Sequence, residues 1–184
     1  MQRDSYRFLF DICIIVAYIL MFCWPLGAFG PAGPYSGFPK GDDAYTHATK
    51  IRFLLENWPH INWYPYGWSG FPYFSTYPPL AYYLYSLVAI ISKSIEFSMF
   101  FLSALSYVLT GIGLYGFVYG VTENRISALI TPIMLISSVA FLGPLLTGGA
   151  YTRTIATMFF SLSLWSALNY IKSLEDWRRA RKFY

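Results

Sequence analysis

Two adjacent carboxylates, Asp42 and Asp43, precede His47 and Lys50 in the segment GDDAYTHATKIRFLLENW, residues 41–58. A carboxylate, an imidazole and an ammonium in one short stretch can take a proton from an acceptor hydroxyl, hold a divalent cation such as Mg or Mn, and neutralise a phosphate. Asp43 is the first candidate catalytic residue and the candidate metal contact, with Asp42 and His47 as further catalytic candidates. Lys50 is a candidate substrate contact. If the segment is a helix over 43–58, Asp43, His47 and Lys50 fall at i, i+4 and i+7 and share a face. Asp42 or Asp43 is then the N-cap, and Asn57 and Pro59 close the helix. The aspartates would equally serve as caps at the positive end of a surface helix, worth about 1 kcal/mol, with His47 simply solvated. Spacing alone leaves both readings open.

Other chemistries find less support. The histidines are His47 and His60, the cysteines Cys13 and Cys23, and no CxxC, HExxH or glycine-rich phosphate loop is present. A structural zinc site is therefore not expected. Both cysteines lie in one apolar run, where two thiols on a single helix have no obvious route to each other. The net charge of +4 comes mainly from Lys172, Arg178, Arg179, Arg181 and Lys182. That tail suits membrane lipids with anionic headgroups, and no nucleic-acid partner is expected.

The elements that must position these residues are membrane helices. Of 184 residues, 56% are hydrophobic and only 12% charged, against about one quarter charged in soluble domains. Apolar runs predict an all-α, multispan membrane module over residues 1–184, with four spans at about 8–29, 97–120, 126–146 and 154–172. Each is near the roughly 18 residues that cross a bilayer core. The first span reads as an uncleaved signal anchor. A further apolar stretch, YPPLAYYLYSLVAIIS from Tyr77, is shorter. Leaving it out of the membrane puts eight of the 13 basic residues on the side of the N-terminus, whereas counting it as a span leaves four there. The positive-inside rule thus favours four spans, cytoplasmic N- and C-termini in a cell membrane, and one long outer loop, 30–96, with interfacial helices at 43–58 and 78–92. The loop's many aromatic rings are expected mainly to anchor it on the headgroups. Sugar stacking or lipid-tail contact is the sharper role for one or two of them, and Trp68 and Tyr77 are candidate substrate contacts. A second, short outer loop, GPLLTGGAYTR, carries Tyr151 and Arg153, whose forked and permanently charged side chain suits a donor phosphate or snorkels to the interface.

In their order, the first span, GDDAYTHATKIRFL, the Trp/Pro/Gly-rich stretch with GFPYF, and YPPLAYYL resemble the N-terminal part of GT-C-type glycosyltransferases. The resemblance is nearest to archaeal membrane proteins related to 6-pyruvoyl-tetrahydropterin synthase. The family's G-x-D-x-x-x-H pattern is matched by Gly41, Asp43 and His47, its G-Y/F-P motif by Gly70, Phe71 and Pro72, and its Y-P-P-L-like helix by Tyr77 to Leu80. The resemblance implies a polyprenyl-phosphate sugar donor and a base or metal contact at Asp43 first and Asp42 second. A divalent cation, Mg or Mn, is the implied cofactor. In the second outer loop the oligosaccharyltransferase catalytic subunit carries G-x-Y-D-N-E, whereas this chain reads GAYTRT from Gly149. The resemblance covers nearly all of the chain but only the first part of the family's architecture.

The expectation is a GT-C-like module that transfers a sugar at the extracytoplasmic face. The alternative is a noncatalytic membrane subunit of the same fold, a scaffold among further membrane subunits. A transporter or channel is less expected, because Asp11 is the one charged side chain within the predicted spans apart from Lys172 at the last position of the fourth, and a polar pathway needs more.

Overall fold

The computed structural model describes residues 2–24, 26, 38–66, 69–72, 77 and 79–181. The apolar runs form helices, and the described residues contain seven. They are α1 (Gln2–Cys23), α2 (Ala44–Asn57), α3 (Leu80–Ser92), α4 (Ile95–Thr122), α5 (Arg125–Ser137), α6 (Val139–Leu146) and α7 (Tyr151–Arg181). Four stretches are long and apolar enough to cross a membrane: Tyr6–Cys23, Ile95–Thr122, Arg125–Leu146 and Tyr151–Leu174. With 13 residues, α3 is about 20 Å long, short of a bilayer core of about 30 Å.

Three of the four spans differ in detail from expectation. The first ends at Cys23, two residues before Pro25, in keeping with the exclusion of helical backbone just ahead of a proline. Residues 27–29 of the expected span lie outside the described residues. The third is interrupted at Ser138, whose extended backbone closes α5 and whose hydroxyl accepts from Phe141 N–H to open α6. The last begins at Tyr151 rather than 154 and continues as helix to Arg181.

The core gathers around α4, which packs on α1, α3, α5 and α7, most extensively on α7. Glycines let it approach. A Cβ on Gly113 would lie 2.9 Å from the backbone of Ser161, and one on Gly116 would lie 2.4 Å from the Trp165 ring. Small residues at such a seam bring helix backbones close enough for dispersion to hold them where no hydrophobic force operates. At the end of the bundle where α4 finishes, Asp11 is fully buried and receives both Nε and Nη2 of Arg125, at 2.7 and 2.6 Å. Tyr115 donates to the same carboxylate at 2.7 Å. The lone acid of the first span is thus neutralised by the first residue of α5, which ties α1, α4 and α5 together. A second tie between α1 and α5 joins Tyr18 and Ser137.

The helices α2 and α3 sit at the opposite end, where α1 finishes and α4 begins. They form a cap over the turn between α6 and α7.

Candidate functional site

The cap is joined to the bundle through backbone. Asp42 N–H donates to Thr147 C=O at 2.9 Å and Asp43 N–H to Gly148 C=O at 3.2 Å. These bonds need near-contact between Gly41 and Gly149, since a Cβ on Gly41 would lie 2.1 Å from Gly149 N. Both residues have positive φ, +105° and +69°, a region open to glycine and strained for other residues. Two segments that are distant in sequence, GDD and TGG, therefore form one joint.

Side chains bolt the same joint. His47 is 5% exposed, and its Nδ1 lies 2.7 Å from the Tyr82 hydroxyl. The ring also bonds the Gly149 backbone, an interaction that favours the protonated form and so directs a ring N–H at the carbonyl. With that N–H on Nε2, Nδ1 is the acceptor and Tyr82 the donor. Burial first, and the positive Lys50 second, push His47 down to about 4, against partial opposition from Asp43. The imidazole is therefore neutral at physiological pH. Tyr151 packs edge-on against it and donates its hydroxyl to Lys40 C=O at 2.8 Å. Tyr85, fully buried, donates to Tyr151 C=O at 3.1 Å, and burial holds its phenol well above the usual range.

On the other side of α2 is an open cavity of about 560 Å³. Asp43, Thr46, Thr49 and Lys50 line one wall, and Tyr64, Tyr66 and Phe71 the other. The aromatic wall is held by paired backbone hydrogen bonds between Tyr64 and Phe71, at 2.9 and 3.0 Å. Asp43 occupies the N-cap position of α2, yet its side chain makes no capping hydrogen bond and is exposed. Lys50 is half-buried, and its ammonium lies 5.8 Å from the centre of the Tyr77 ring. Burial lowers its proton affinity and the Asp43 charge partly restores it.

The face read from spacing therefore divides. Asp43 and Lys50 line the cavity, while His47, one turn along, is turned into the joint and serves as a bolt. Asp42 is exposed beside Asp43, its N–H engaged by Thr147. Tyr77 is brought to Lys50 and bonds Thr152 at 3.1 Å, so it connects the cavity to the start of α7. Arg153 is not brought there. It lines a separate small crevice with Phe141, Pro144 and Leu145 against α6. Trp68 lies outside the described residues.

A resident cation does not fit the donor set. Asp43 shares its cavity with the cationic Lys50, and no group of three or more His, Cys, Asp and Glu side chains gathers among the described residues. No family model, curated protein or solved structure matches this chain.

Residues that spacing did not single out include Tyr82, Tyr85 and Gly149. The i, i+3 offset of Tyr82 and Tyr85 on a short helix was a usable signal, since it puts both phenols on one face. Tyr64 also departs from the headgroup-anchoring expectation. It is 3% exposed and packs edge-on against Phe53, with ring centres 5.2 Å apart, whereas Trp63 and Tyr66 stay exposed.

Proposed function

We propose that the chain is a GT-C-like membrane module that transfers a sugar from a polyprenyl-phosphate donor, with the cavity beside α2 as its extracytoplasmic transfer site. The observation that carries this reading is the uncapped Asp43 carboxylate and the Lys50 ammonium on one wall, facing an aromatic wall whose exposed ring is Tyr66. A sugar ring stacks on such a wall through its C–H faces while its hydroxyls meet polar groups opposite.

In the reaction the acceptor hydroxyl attacks the anomeric carbon, its proton passes to Asp43, and the bond from that carbon to the carrier phosphate oxygen breaks. The departing phosphate gains negative charge, which Lys50 neutralises. His47, neutral and buried, positions the start of α2 so that Asp43 faces the cavity.

A chain with Thr49→Cys, in a background carrying Cys13→Ala and Cys23→Ala, tests the assignment. A membrane-impermeant maleimide added from the extracytoplasmic side should label Cys at 49, and a polyprenyl-phosphate sugar should protect it. Labelling from the opposite side, or labelling that the donor does not slow, overturns the reading. A chain that copurifies with other membrane subunits and is not protected by donor is instead the scaffold of the same fold.

A further inference from the structure

At the end of the bundle away from the cap, α4 lies between α1 and α7, which make no substantial contact with each other. A groove of about 470 Å³ is left between them. Gly116, Tyr119 and Gly120 make its floor, Phe8 one wall, and Trp165 and Lys172 the other. An adjoining hollow shares Phe8, Tyr119 and Glu123 with it and adds Arg7, Asp11 and Arg125.

The charges at this level are unequal. Asp11 is buried and held by Arg125, so that pair is spent on the fold. Among the described side chains, Arg7 and Lys172 then face one carboxylate, Glu123, which leaves an excess of one positive charge among them. Lys172 gives one N–H to Gly120 C=O at 2.5 Å, which fixes its ammonium at the mouth with two donors remaining. Charged residues of α1, α4, α5 and α7 meet here because the apolar lengths of the helices end here, at the depth of lipid headgroups.

We propose that this groove holds one phospholipid with a monoanionic phosphodiester headgroup. Its acyl chain lies over the exposed Tyr119 ring between Phe8 and Trp165, and its phosphate meets Lys172 and Arg7. The excess positive charge matches one phosphodiester and favours it over a zwitterionic headgroup.

The test uses the full chain in nanodiscs of phosphatidylcholine with increasing phosphatidylglycerol, counting retained lipid by native mass spectrometry after detergent extraction. One phosphatidylglycerol per chain should be retained in preference to phosphatidylcholine. Lys172→Gln and Arg7→Gln should each weaken retention about fivefold, the value of one basic residue at an anionic surface, and Lys172→Arg should restore it. Glu123→Gln should strengthen it. Because Lys172 also bonds the α4 backbone, Arg7→Gln, on the exposed side of α1, keeps the test independent of folding. Equal retention of the two lipids, unchanged retention in Arg7→Gln, or a copurified polypeptide in the groove overturns the proposal.

Discussion

Replacing Gly41 with Ala should open the joint between cap and bundle without unfolding the spans. The added Cβ would stand 2.1 Å from Gly149 N and 2.3 Å from Gly149 Cα, distances that real Cβ atoms do not reach, so the two backbones must separate. A φ of +105° adds about 1–2 kcal/mol of strain for a residue with a side chain. Separation also breaks the Asp42 to Thr147 and Asp43 to Gly148 hydrogen bonds, each worth about 1 kcal/mol net. The total of about 3–4 kcal/mol corresponds to a rise of roughly 10²–10³ in the local opening constant. Hydrogen exchange followed by mass spectrometry should show it in peptides covering 41–50 and 143–152, with α4 unaffected. Gly143→Ala is the control. Its new Cβ meets only Val139 Cγ1 at 3.5 Å inside a helix, where Ala is favoured by about 0.5–1 kcal/mol. If Gly41→Ala exchanges no faster than Gly143→Ala, the backbone joint is not what holds the cap.

The state of His47 should make the cap acid-sensitive. With a folded value of about 4 against an ordinary 6.5, the unfolded form binds the proton first, so cap stability is complete above pH 6.5 and declines as pH falls toward 4. The ceiling on that loss is about 3 kcal/mol, and exchange of the 41–50 peptide as a function of pH measures it. His47→Gln should flatten the dependence, and a slope that survives the substitution assigns it to another group. At the far end, Arg125→Gln leaves Asp11 buried with Tyr115 as its remaining donor. Because the Arg125 side chain is 46% exposed and partly solvated, the loss should be smaller than for a fully buried pair. A lowered melting temperature in detergent, relieved when Asp11→Asn is added, supports the clamp, and an unchanged one counts against it.

Periodicity and length make most of the fold legible in the sequence. The expected helix 43–58 is observed as Ala44–Asn57, and the expected 78–92 as Leu80–Ser92, with Pro59 and Pro79 marking one end of each in the sequence. The break at Ser138 was not legible, since an uncharged run over 126–146 satisfies the span criterion whether or not its helix is continuous. The same limit applies to the site. Offsets along α2 place Asp43, His47 and Lys50 on one broad face, but they do not tell which part of that face meets α3. Tyr82, contributed by another helix, holds His47 by a hydrogen bond in a buried position. The Asp11 and Arg125 pair, separated by 114 positions, has no local pattern at all. GDD, GFP and the segment opening at Tyr77 all converge on one cavity and its rim.

The transfer reading is tested most directly by initial rates of sugar transfer from a labelled polyprenyl-phosphate donor in proteoliposomes, comparing the wild-type chain with Asp43→Asn. Asp43 lines the cavity and makes no capping bond, so its amide should leave membrane expression and melting temperature unchanged while lowering transfer at least 100-fold, about the smallest loss expected when a general base is removed. Transfer by Asp43→Asn at the wild-type rate would contradict the assignment of that carboxylate as the base.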